Sequence, residues 1–130
     1  MTLKNAYIFL LYRWLDVPLH GDLLRSRNKF IALIEPQYNA INAKRTEILS
    51  DLAEKDKDGK AIIEGGTYKI PDDKKQDFID QFTDGYLEED FEFDVTKQIK
   101  SDVKEILMTK MTKGLGIEDG KVFEEIIDVL

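Results

Sequence analysis

The sequence predicts a mainly α fold of the α+β kind: a long kinked helix packed with shorter helices as a hairpin or bundle. A small antiparallel β-hairpin or three-stranded sheet is expected near residues 60–70 and 91–95. Three observations carry this prediction. Apolar residues at Ile31, Ile34, Tyr38, Ile41, Ile48 and Leu52 keep a three-four spacing, the period of an amphipathic helix, and only Arg45 interrupts the stripe. A Gly65-Gly66 pair stands between Lys60-Ala61-Ile62-Ile63 and Thr67-Tyr68-Lys69-Ile70, where β-branched and aromatic residues around paired glycines signal two strands and a tight turn. The 130 residues are 42% hydrophobic and 35% charged, too apolar for a disordered chain and too charged for a membrane one. No long Gly, Ser or Pro linker and no internal repeat divides the chain, so one domain over 1–130 is expected.

The first element is a helix over Leu3–Leu15. Its run Ala6 to Leu15 is apolar almost all round and must be covered, either as a core helix or by a partner. Arg13, Asp16 and Pro18 stop it far short of the ~20 residues a membrane-spanning helix needs, and no small-residue cleavage site follows. Val17-Pro18-Leu19-His20-Gly21 forms a turn, after which Asp22 can cap the long helix. Pro36 lacks the amide proton that an internal helical bond needs, so a kink or short break is expected near Leu33 to Glu35. Past Leu52 the apolar residues stop, and Gly59 is expected to mark where the long helix must end and the chain turns into strands.

Pro71 ends the second strand. Asp72 or Asp73 then caps a helix carrying Phe78, Ile79, Phe82, Tyr86 and Leu87, which Gly85 weakens without stopping. Phe91-Glu92-Phe93-Asp94-Val95 alternates apolar with acidic, the period of a half-buried strand, and is a candidate third strand for the hairpin. Thr96 or Ser101 caps a helix with Ile99, Val103, Ile106, Leu107 and Met111, closed by Gly114 and Gly116. A last helix from about Asp119 carries Val122, Phe123, Ile126, Ile127 and Leu130.

Chemistry-bearing patterns are few. Glu54-Lys55-Asp56-Lys57-Asp58-Gly59-Lys60 has the alternating acids of a calcium-binding EF-hand loop, with Glu54, Asp56 and Asp58 as candidate ligands. With Gly59 at position six, position twelve is Gly65, which has no carboxylate to supply the bidentate ligand, and three lysines share the loop. No metal is therefore expected, and the stretch is taken as a turn at a charged helix exit. His20 is the only histidine and cysteine is absent, so no nitrogen- or sulfur-rich zinc site can be assembled. No nucleophile elbow, phosphate-binding loop or dinucleotide fingerprint occurs, so no cofactor, no catalytic residue and no enzymatic activity are expected. The formal net charge of −7 argues against direct nucleic-acid binding, although Arg25, Arg27 and Lys29 offer a local basic face. Six acids, Asp84, Glu88, Glu89, Asp90, Glu92 and Asp94, interleave with aromatic residues, suited to a basic surface or to mimicry of nucleic-acid charge; a solvated face is the plain alternative.

The stretch Leu19-His20-Gly21-Asp22-Leu23-Leu24-Arg25-Ser26-Arg27-Asn28-Lys29-Phe30 resembles a pattern in an uncharacterised family of small proteins from tailed phages and prophages of Gram-positive bacteria. In that family a long charged helix follows, then an Asp-x-Asp-Gly exit with a short strand pair, matched here by Asp56–Lys60 and Gly66–Ile70. The similarity covers about Leu19 to Leu130. In Arg25-Ser26-Arg27 the serine stands between the arginines, which departs from the family register. The resemblance implies context only, since the family brings no enzymatic activity.

These observations lead to the expectation of a non-enzymatic accessory protein acting by protein–protein interaction in the host cytoplasm. It would assemble with itself, as a homodimer through the long helix, or bind a virion or host protein. The residues expected to carry contacts are Tyr7, Leu11, Trp14, Ile34, Ile41, Ile48, Glu88, Glu89, Asp90 and Glu92. The alternative is an acidic inhibitor of a host nuclease or defence complex, anti-CRISPR-like in mimicking nucleic acid. A carboxylate-based hydrolase ranks third. No membrane partner is expected.

Overall fold

A computed structural model describes residues 1–111 and 114–130. The elements in chain order are β1 (Thr2–Lys4), α1 (Asn5–Trp14), α2 (Gly21–Leu52), β2 (Ile63–Glu64), β3 (Thr67–Tyr68), α3 (Lys75–Phe78), β4 (Asp90–Glu92), α4 (Lys97–Thr109) and α5 (Ile117–Val129). The expected α+β fold is present, with the long helix, shorter helices and antiparallel strands. By internal contacts the chain divides into two compact units, one of Met1–Tyr38 with Asp90–Leu130 and one of Asn39–Glu89. Helix α2 begins in the first and ends in the second, running unbroken through Pro36 with no interruption at Leu33 to Glu35.

In the first unit, Leu3 belongs to a strand, not to the opening helix. β1 pairs antiparallel with β4 in the register Thr2 to Glu92, Leu3 to Phe91 and Lys4 to Asp90. The ladder continues one pair further, since the Met1 amino group donates to the Phe93 carbonyl at 2.8 Å and the Phe93 amide donates to the Met1 carbonyl at 2.9 Å. Residues 91–95 therefore do not join the 60–70 hairpin, and among the described residues the strands form two separate two-stranded sheets. Their period-two alternation is satisfied all the same: Phe93 is buried and Phe91 half-buried, while Asp90, Glu92 and Asp94 face solvent.

The apolar coat of α1 is covered by the chain itself. Ile8, Leu11, Trp14 and the following Leu15 are buried, as are Phe30 and Ile34 of α2, Val103, Ile106 and Leu107 of α4, and Ile126 and Ile127 of α5. Each such aliphatic or aromatic side chain contributes about 1.5–3 kcal/mol by leaving water. Phe30 meets the edge of Phe93 at 5.9 Å between centroids, and Trp14 lies 5.9 Å from Phe123. Thr96 caps α4 as its spacing predicts, its hydroxyl accepting the Ile99 amide at 3.2 Å. A polar cross-link sits among these residues: the buried Asp102 carboxylate accepts from the Ser26 hydroxyl and, at 2.8 Å, from the Gln98 amide.

In the second unit, β2 and β3 form the expected hairpin, with Ile63 opposite Tyr68 and Glu64 opposite Thr67. Gly65 and Gly66 have φ of +59° and +80°, the paired positive values that a two-residue type I′ turn requires. The single helix expected from Asp72 through Leu87 does not form. A 3-10 turn (Asp72–Lys74) leads into α3, a π turn follows over Ile79–Thr83, and a second 3-10 turn spans Tyr86–Glu88. The Asp84 amide donates to the Ile79 carbonyl at 2.8 Å, the i to i+5 bond of the π turn. Gly85 ends the helical run instead of merely weakening it, because the chain folds back so closely that a β-carbon there would stand 2.5 Å from the Gln81 carbonyl oxygen. The aromatic spacing survives the change of pitch: Phe78 stacks on Phe82 at 5.4 Å and Phe82 on Tyr86 at 6.4 Å.

Candidate interaction site

The acid-lysine stretch from Glu54 to Lys60 has a structural task. Helix α2 ends at Leu52, well before Gly59, and the Lys55 ammonium donates to the Ser50, Asp51 and Ala53 carbonyls that the helix end leaves open. One Asp56 carboxylate oxygen accepts the amides of Asp58 at 2.9 Å and Lys60 at 3.0 Å, and Gly59 takes φ +79° to close the turn. Glu54 pairs with Lys69 at 3.1 Å. Two of the three candidate calcium ligands thus already have partners in the protein, and among the described residues no group of three or more acids or histidines is placed to hold a metal ion. Gly59 turns this loop; it does not mark the helix end.

The apolar residues expected to meet a partner are used inside the chain. Leu11, Ile34 and Ile41 are 0% exposed, Ile48 is 4% and Trp14 is 8%. A three-four stripe is equally satisfied by a second copy or by neighbouring elements of the same chain, and here the chain fills it. Ile34, Ile41 and Ile48, expected to carry contacts of a homodimer, are core side chains of the single chain. Tyr7 is half-buried, its hydroxyl donating to Glu125 at 2.6 Å and its ring lying 5.8 Å from the Lys4 ammonium. The acids Glu88 and Glu89 of the second unit, and Asp90 and Glu92 of the first, are all exposed.

What periodicity missed is an apolar groove of about 480 Å³ within the second unit, walled by Leu49, Tyr68, Ile70, Phe78 and Ile79. Lys69 and Lys75 edge it, each tied to acids: Lys69 to Glu54 and, at 3.6 Å, to Glu64, and Lys75 to Asp72 at 2.8 Å. The pairing raises the Lys69 pKa, first through its hydrogen bond with Glu54, and lowers that of Asp72 through its bond with Lys75. Ile79 stands 40% exposed at the start of the π turn. No sequence pattern marks this groove, because its walls come from α2, the hairpin and the segment after Pro71.

No helix among the described residues is long and apolar enough to cross a membrane. No family model matches the chain, and neither a curated protein nor a solved structure matches it.

Proposed function

We propose that the chain is a non-enzymatic interaction protein, in the phage or prophage accessory role and host-cytoplasmic setting that the resemblance from Leu19 onward implies. The observation that carries this is the open apolar groove of Leu49, Tyr68, Ile70, Phe78 and Ile79. Its lysines are neutralised by neighbouring carboxylates, and residues 39–89 hold 13 acids against 8 basic residues. The partner that fits is a protein segment presenting an apolar side chain flanked by Lys or Arg: apolar burial supplies affinity, and the charges supply steering and selectivity. Ile79→Asp should keep the circular dichroism of the wild type yet lose, on an affinity resin, the host proteins that the wild type retains and that added salt releases. An unchanged set of retained proteins would remove the proposal.

A second use is favoured by the exposure of Glu88, Glu89, Asp90 and Glu92, as an acidic inhibitor lodged in the nucleic-acid channel of a host nuclease or defence complex. Glu88→Gln with Glu89→Gln, and separately Asp90→Asn with Glu92→Asn, should then relieve inhibition of such a nuclease while leaving folding intact. Inhibition that survives both pairs rules it out.

A further inference from the structure

We propose that the cleft between α1 and α2 in the first unit binds a small organic oxyanion, a carboxylate or phosphate monoester carried on a flat apolar ring. The cleft is an exception in a chain of formal net charge −7, because its walls bring Arg13 and Arg27 together against the single acid Asp16. Neither guanidinium has an ion-pair partner among the described residues. Arg27 is held from one side: its Nη1 donates to the Leu15 carbonyl at 2.7 Å and the Val17 carbonyl at 3.1 Å, and its Nε to Asn28 Oδ1 at 3.0 Å. Those bonds satisfy the open carbonyls after α1 and leave the Nη2 donors without a protein acceptor. A guanidinium fixed by backbone bonds loses little freedom on receiving an oxyanion, and the charge-assisted bond it makes is among the stronger kinds.

Arg13 lies over the Phe9 ring, 5.1 Å from its centroid, which positions the cation without neutralising it. Asn28, on the same wall, adds amide protons that have no protein acceptor. The flat part of the ligand is set by Tyr12 and Tyr38, whose rings stack at 3.9 Å and 11°. The Tyr12 hydroxyl donates to Glu35 at 3.0 Å, which holds the far end of this ring. The volume, about 500 Å³, falls in the range of small-molecule sites. Aromatic walls with a few convergent polar groups are the usual make-up of such sites.

The test is a titration of the full chain with phenyl phosphate, benzoate and inorganic phosphate, read by the NMR signals of the Asn28 amide and the arginine Nε protons. Saturable shifts at Asn28 and Arg27 are expected with an aromatic anion, whichever of the two binds tighter identifying the oxyanion, and inorganic phosphate should bind about tenfold more weakly. Asn28→Asp places a carboxylate against Arg27 without disturbing α2 and should weaken the aromatic anion by about tenfold or more. Arg13→Met, which keeps the stem over Phe9, should weaken it severalfold with unchanged circular dichroism. Absence of saturable shifts with both aromatic anions overturns the site, as does equal affinity in Asn28→Asp. Inorganic phosphate binding as tightly as phenyl phosphate overturns the part assigned to the tyrosines.

Discussion

At Gly85 the backbone itself occupies the place of a side chain, with the Gln81 and Asp80 carbonyl oxygens 2.5 and 2.8 Å from where a β-carbon would be. Neither is the tip of a flexible group that can swing aside. Gly85→Ala should therefore cost about 1–3 kcal/mol, as overpacking does, and appear as a lower urea midpoint. The Ser26, Asp102 and Gln98 cross-link is sensitive for a different reason. Asp102 is only 8% exposed and its two oxygens are each occupied, so Ser26→Ala leaves a buried carboxylate one donor short. A loss of about 1–3 kcal/mol in chemical denaturation is expected. Double substitution, Ser26→Ala with Asp102→Leu, should recover part of it, because removing both polar partners removes the unmet demand as well.

Among the elements, those with a dominant local signal were legible and those defined by long-range pairing were not. The hairpin at Gly65-Gly66, the Thr96 cap and the stripe of α2 are each written in adjacent residues and appear as expected. Locally, Leu3 reads as the start of the first helix, and its strand character comes from Phe91, far along the chain. The π turn after α3 was equally hidden, since one extra residue per turn barely disturbs the spacing of Phe78, Phe82 and Tyr86. Both candidate clefts eluded the sequence because their walls come from separate segments: Arg13 counted only as an interruption of an apolar helix, Tyr38 only as part of the α2 stripe.

Two element-scale outcomes follow. Pro36 is exposed within α2 and deprives the helix of one internal hydrogen bond, so Pro36→Ala should stabilise the protein, by about 1–3 kcal/mol in thermal melts. Lys69 ties β3 to Glu54 and Glu64, and its folded pKa is raised above the ordinary 10.5. A raised lysine pKa contributes stability that is fully present below the unfolded value and is lost as pH rises through the folded one. The melting-temperature gap between wild type and Lys69→Met should hold steady from neutral pH to about 10.5 and shrink above it.

For the whole molecule, the decisive contrast lies between a chain that needs a second copy to cover α2 and one that covers it alone. The stripe fits both, but their thermodynamics differ. When Ile41 is buried within its own chain, Ile41→Ala removes methyl groups from a filled interior and costs about 2–5 kcal/mol, whatever the protein concentration. When the same residue lies in a dimer seam, stability is linked to assembly by mass action, and the melting temperature of the wild type climbs with concentration. Burial of Ile34, Ile41 and Ile48 within the chain predicts the first case. Melts of wild type and Ile41→Ala over a wide concentration range should therefore give two flat lines separated by a constant offset. A wild-type line that rises with concentration, and flattens in Ile41→Ala, would instead restore the long helix as a dimer interface.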